Sequence, residues 1–248
     1  MRSHVVLVVV AGWLGAACAA HAAHPLVTED AGTQGAGNAE FESGLSWTRD
    51  GDDRSFVFQP QLSWGLFPAL DLIVAPSWQR NHSAENGTSR GSGDTLLDAK
   101  WRFHEDGPLS LALRAGVLFP TGANGPGLSN GKPSSHALLA VTFDAAPLAL
   151  HGNLGYTRGP SLPGLRRDLY HVSAAAVFTA NGNLAFAADV GFDSNPDTAQ
   201  KSWPGTLLLG VIYTLRPGLD VDAGYQIWLN DAAPARQWLA GITYRWAP

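Results

Sequence analysis

Cysteine and methionine each occur only once in the 248 residues, as Cys18 and Met1. Beyond Cys18 there is therefore no disulfide framework, no thiolate nucleophile and no cysteine-based metal site. Charge is scarce too, at 15% of residues against about 25% in ordinary soluble domains. The formal net charge of -5 argues against nucleic acid, which calls for a clustered basic face. Long apolar runs are missing: after the N-terminus none approaches the roughly 18 residues of a membrane-spanning helix. That excludes a helical membrane protein, although hydrophobic residues reach 45% with a mean hydropathy of -0.03. What the chain does have is nine Trp and 28 Gly, which suit strands with one face turned to lipid.

The first residues carry the marks of export. Arg2 and His4 form a short basic start, Val5 to Leu14 an apolar stretch, and Ala20-His21-Ala22 a small-x-small cleavage site. Residues 1–22 are read as a signal peptide, with Cys18 inside it. A lipoprotein reading of Leu14-Gly15-Ala16-Ala17-Cys18 is poor, because Gly15 stands where a large aliphatic residue is needed. Residues 23–36 are read as a short periplasmic segment and residues 37–248 as the folded domain.

From about residue 37 the dominant hydrophobic period is two rather than 3.6. Ala39, Phe41, Ser43, Leu45 and Trp47 share one face, with Glu40, Glu42, Gly44 and Ser46 on the other. Phe56, Phe58, Pro60, Leu62 and Trp64 repeat the pattern, and further segments start near Leu70, Thr95, Leu109, His136, Leu148, Asp168, Leu184, Thr206, Leu219 and Gln237. Each has about the 9–11 residues that cross a bilayer at a tilt.

The connections alternate strictly. Short turns such as Glu105-Asp106-Gly107 and Arg216-Pro217-Gly218 are hairpin chemistry. The links between them, such as Asn81 to Gly93 and Thr121 to Ser135, are long and polar. Outer-membrane barrels show this order, with short periplasmic turns and longer external loops. A Greek-key sandwich has no reason to keep it.

Aromatic residues mark both ends of the segments. Trp47, Trp78, Phe119, Tyr156, Phe192 and Tyr225 fall at the outer ends of the outward strands. Trp64, Phe103, Phe143, Phe178, Tyr213 and Trp246 fall at the inner ends of the returning ones. Two girdles on one apolar face match two membrane interfaces. The chain therefore reads as all-β, a transmembrane antiparallel up-and-down β-barrel of about 12 strands in the bacterial outer membrane. Pro60 and Pro76 remove ladder donors inside strands and predict a bulge or weakened pairing there. The end at Trp246-Ala247-Pro248 carries two residues past the closing aromatic, which the barrel-assembly machinery has to tolerate.

On the opposite face lie the charges that would line a lumen. The acids are Glu40, Glu42, Asp71, Asp98, Asp189, Asp220 and Asp222; the bases are Lys100, Arg102, Arg114 and Arg245. Their segregation either sets a transverse field across a pore or lets them pair and fill the interior. Because the last strand must pair with the first, Arg245 is expected to meet Glu40 or Glu42. His151 and His171, on neighbouring strands, read as polar lining rather than as a weak site. Asp50, Asp52 and Asp53 in the first external loop read as a solvated run rather than as a cation site beside lipopolysaccharide.

Enzyme signatures are weak. The Gly-rich stretch Gly122 to Lys132 lacks phosphate-loop spacing, and Pro133 follows Lys132 where Ser or Thr would stand. It reads as an external loop. Gly-x-Ser-x-Gly occurs at Gly87 to Gly91 and at Gly127 to Gly131, but both lie in polar stretches read as external loops and not at a strand-to-helix turn, so neither is a nucleophile elbow. No metal or cofactor is implied.

The stretch His24-Pro25-Leu26-Val27-Thr28-Glu29-Asp30-Ala31-Gly32-Thr33-Gln34-Gly35 resembles the mature start of the outer-membrane transporter family named for the MetA pathway of phenol degradation. Two further stretches look similar to that family: Gly93-Asp94-Thr95-Leu96-Leu97-Asp98-Ala99-Lys100-Trp101-Arg102-Phe103, and Arg114-Ala115-Gly116-Val117-Leu118-Phe119-Pro120-Thr121-Gly122. The resemblance implies an outer-membrane location and passage of small compounds, aromatic or hydrophobic ones among them. The leading function is passive solute passage, with outer-membrane lipid and lipopolysaccharide as surroundings. One alternative is an outer-membrane enzyme of phospholipase type, for which Ser77 and His82 are the nearest pair. The other is a structural barrel without transport.

Overall fold

The computed structural model describes residues 24–83, 87–125, 127–129, 131–230 and 236–246. The signal peptide expected at 1–22, with Cys18, and the tail at 247–248 lie outside them. Fourteen strand segments form one antiparallel sheet, and β1 (Ala39–Asp50) pairs with both β2 (Asp53–Phe67) and β14 (Arg236–Trp246), which closes it.

The segments make twelve crossings, since two crossings are each broken once. The third consists of β3 (Leu70–Ala75) and β4 (Trp78–Ser83), and the fourth of β5 (Gly87–Ser92) and β6 (Thr95–Asp106). β7 (Leu109–Phe119), β8 (Ser134–Ala145), β9 (Leu148–Arg158) and β10 (Asp168–Asn181) follow. β11 (Leu184–Asp193), β12 (Gly205–Arg216) and β13 (Leu219–Trp228) lead back to β14.

The breaks have a chemical cause. Pro60 keeps its place opposite Ser43 on β1, so no bulge forms on that side. On its other side, β2 pairs with β4 up to Phe58 and with β3 from Leu62, leaving Gln59 to Gln61 facing Pro76 and its neighbours. Two residues without an N–H thus sit across one gap, where neither can donate to the ladder. The gap continues to Gly93-Asp94, bridged by Gly93 N donating to Ser77 O at 2.9 Å. Past it, β4 and β5 form a hairpin, so most of the stretch expected as a loop from Asn81 to Gly93 is an extension of the wall.

Alternation puts apolar side chains outside. Leu154 and Leu209 are 60% exposed, while Leu208, one residue from Leu209, is 1% exposed. The twelve girdle aromatics point outward, and Tyr225 is partly covered by Trp238 at a ring-centroid distance of 4.4 Å. In the bilayer, lipid shelters this face from water, while the closed ladder satisfies the backbone polar groups.

This exposure makes a prediction. Leu209→Arg should lose roughly 2–4 kcal/mol of stability in lipid, while Leu209→Phe stays near neutral. Refolding equilibria in vesicles measure both, and equal losses would refute the assigned face.

Candidate functional site

The inward face carries charge, and the structure shows what that charge holds. Residues 24–36, the described part of the segment read as 23–36, lie inside the barrel, and Gly37 and Asn38 lead from it into β1. Gly37 N donates to Gly65 O at 2.8 Å and Gly65 N to Asn38 O at 2.9 Å, turning the chain inward just before β1. A side chain at position 65 would collide with the Gly35 carbonyl, at 1.7 Å from an ideal Cβ. The turn needs glycine there.

From that turn back to His24 the segment bends at Ala31, Thr28 and Val27 and forms no strand pairing. Its buried backbone donors need partners, and wall side chains supply several. Gln34 N donates to both carboxylate oxygens of Asp71, at 3.1 and 3.0 Å. Ala31 N donates to Thr142 Oγ1 at 2.9 Å. Asn153 acts as a surrogate strand partner for Glu29, accepting from its N–H at 2.7 Å and donating to its carbonyl at 2.8 Å. Asp189 accepts from the amides of Val27 and Thr28 at 2.8 and 2.7 Å and from the Thr28 hydroxyl at 2.8 Å. Thr28 Oγ1 also lies 2.8 Å from Ser173 Oγ. At the end, His24 Nδ1 is 2.6 Å from Asp222.

Glu29 is the charged centre of the segment. Its carboxylate meets Lys100 Nζ at 2.7 Å and also the Arg114 guanidinium. Lys100 reaches Asp30 at 3.1 Å, and Arg114 donates to Asp98 at 2.6 Å, beside which stands His136 at 3.0 Å. Burial pushes the Glu29 carboxyl up, but Lys100 and Arg114 outweigh it and hold it below its ordinary value. Space for the segment comes from a floor without side chains: His24 covers Gly44 and Gly241, and Pro25 covers Gly210 and Gly224 beside Leu208.

The remaining lumen residues have their own partners. At the closing seam Arg245 lies 2.6 Å from Glu40 and 2.5 Å from Asp220. Glu42 accepts instead from Gln61 at 2.6 Å. The sequence pattern did not single out Asp220 as a partner of this arginine; it stands on β13, two strands from Glu40. Arg102 faces Glu105 at 3.1 Å. His151 pairs with Thr142 at 2.9 Å and His171 with Asp193 at 2.8 Å and Ser173 at 2.9 Å. The two histidines lie in register with Ala175 and Gly155 respectively, so the fold does not bring them together.

Ser77 lies on the inner side with Gln79, while His82 is exposed and bonded to Thr88 at 2.9 Å. They form no pair. Among the described residues no group of acids or histidines is placed to hold a metal ion, the Asp50, Asp52 and Asp53 cluster included. The Gly-rich loop folds back onto the wall: Ala123 N donates to Ser92 O at 2.9 Å, and Leu128 is buried.

Toward the long-loop end a cavity of about 390 Å³ remains. Its lining mixes Leu26, Val27, Val57 and Leu239 with Glu42, Gln59, Gln61, Arg114 and Gln237.

A closed twelve-crossing barrel with lipid-facing aromatics and a charged interior is an outer-membrane β-barrel. Over residues 8–246 the chain matches the family described as "Putative MetA-pathway of phenol degradation", and it belongs to that family. Among solved structures it is similar to an outer membrane channel from Pseudomonas putida F1, at 13% identity and a TM-score of 0.69, covering 88% of this chain and 97% of that one. The NanC porin has a TM-score of 0.59 at 11% identity, covering 83% of this chain and 98% of its own. The KdgM porin in complex with disordered oligogalacturonate has a TM-score of 0.56 at 8% identity, covering 85% and 99%. At these identities the likeness establishes the fold. No curated protein matches by sequence.

Two predictions arise here. Arg245→Met and Glu40→Gln should be coupled by about 0.5–3 kcal/mol in a double-mutant cycle on barrel unfolding, whereas Arg245→Met and Glu42→Gln should be additive. Coupling in the second cycle alone would refute the seam assignment.

The second concerns Glu29. A lowered pKa in the docked state means that its contribution is present above the free carboxyl value of 4.5 and is lost as pH falls through the docked value. A spin label on Val27→Cys, which is 51% exposed, should be immobile at neutral pH. Glu29→Gln should mobilise it there, and the parent only in acid. A label equally immobile in Glu29→Gln would refute the anchor.

Proposed function

We propose that this barrel passes small solutes through the outer membrane, with residues 24–38 narrowing the route. The observation that carries the reading is the cavity of about 390 Å³ between this segment and the wall. Its volume is that of sites for small organic molecules, about 300–1,000 Å³. Apolar side chains on one part and Glu42, Arg114 and three glutamines on another suit a solute with an apolar body and a polar or charged end. Aromatic acids and alcohols meet that description. The family description and the channel and porin neighbours support the reading.

Passage past the segment needs it to shift, and its bonds are individually modest: a hydrogen bond to a charged group contributes about 1.5–3 kcal/mol. Leader export, which the first residues suggest, would place the segment at the periplasmic side of the wall. For the phospholipase alternative the nearest candidates, Ser77 and His82, bond to Gln79 and Thr88 and not to each other.

Conductance in planar bilayers tests the proposal. The protein without residues 24–35 should conduct severalfold more than the parent, and liposomes carrying it should swell faster in small aromatic solutes. If both proteins fold to heat-modifiable barrels and neither conducts nor admits solute, the barrel has a structural role instead.

A further inference from the structure

The wall also carries charge where charge is least expected, on its outer face. Arg49 of β1 stands opposite Arg236 of β14 on one side and opposite Arg54 of β2 on the other. Arg54 is opposite His82 of β4, and Arg80 of β4 is opposite Arg90 of β5. All five arginines are exposed. Their common face is that of Trp47 and Trp238, which are 43% and 61% exposed and sit two residues below Arg49 and Arg236.

From this geometry we infer that these arginines form a site for the phosphorylated headgroup of an outer-leaflet lipid. Like charges directly opposite on a ladder destabilise a sheet, and here three Arg–Arg pairs adjoin. No carboxylate among the described residues pairs with Arg54, Arg80, Arg90 or Arg236, while Arg49 Nε donates to the Gly51 carbonyl at 3.3 Å. The patch is therefore open to anions from outside the chain.

A surface groove of about 970 Å³ runs among Arg49, Arg54, Arg80 and Arg236, floored by Trp47 and Trp238. Asp52 is the one acid among its lining residues. Two residues of strand rise about 7 Å, which lifts the guanidinium groups from the aromatic interface to headgroup level. Acyl chains would lie on the apolar wall below. Guanidinium forks match phosphate oxygens two at a time, which a lysine cannot do. An apolar floor joined to a cationic rim fits a lipid better than a free anion.

Native mass spectrometry on the barrel in detergent tests the site, with lipid A bearing two phosphates as the probe. The expected result is one retained lipid per barrel. Enzymatically dephosphorylated lipid A should bind about tenfold or more weakly, and millimolar inorganic phosphate should not displace the lipid. The variant R54Q/R80Q/R236Q should lose affinity to a similar degree while remaining heat-modifiable. Equal binding of the two lipids, or unchanged binding by the folded variant, would overturn the site. Displacement by inorganic phosphate would overturn the lipid assignment in favour of a free anion. Should the variant fail to fold, the comparison of the two lipids on the parent protein still decides.

Discussion

A sheet in hydrocarbon cannot leave an edge unpaired, because no water is there to satisfy its N–H and C=O groups. Everything else in this molecule follows from that closure. β1 must accept β14, so Arg245 is brought to Glu40, and Asp220 of β13 joins them. Closing twelve crossings also encloses a volume too wide for the wall's own side chains to fill. The 24–38 segment and its bound carboxylates occupy that volume.

The interior then faces a problem common to buried polar chemistry. An isolated carboxylate in a low-dielectric space is costly unless it is paired and hydrogen-bonded. Asp71 and Asp189 meet this requirement with backbone amides of the segment, and Lys100 and Arg114 meet it with Glu29. The segregated charges of the wall thus act less as a field across open water than as a row of fixed points for one inner segment. Glycines at 44, 210, 224 and 241 leave room for it, since a side chain at any of them would meet His24 or Pro25. Wall and segment are complementary in shape as well as in charge.

The line of weak pairing through Pro60, Pro76 and Gly93 is the wall's main irregularity. It lies between Phe58 and Leu62 of β2. The Gly-rich loop covers it from within through Leu128 and the Ala123 amide. Backbone groups that the ladder leaves open are partly recovered by that loop, as with the Ser92 carbonyl accepting from Ala123 N at 2.9 Å.

Much of the fold was legible in the sequence because a lipid-facing barrel is a local pattern. The period of two, the alternating loop lengths and the aromatics at strand ends all act over about ten residues, and nearly every strand start falls within two residues of its expected place. The seam pair was legible too, since closure fixes which ends meet. The lumen residues were identifiable as inward-facing, but their partners were not. A segment without periodicity gives no local sign that it turns inward at Gly35 and Gly37, and its docking depends on side chains from β3 to β13. The only hint was an excess of inward acids over bases. The outer arginines were equally hidden: Arg49 and Arg236 lie 187 positions apart in the chain, and only closure sets them opposite one another. Local alternation is written in the chain; which charges become neighbours is decided by the register of a closed sheet.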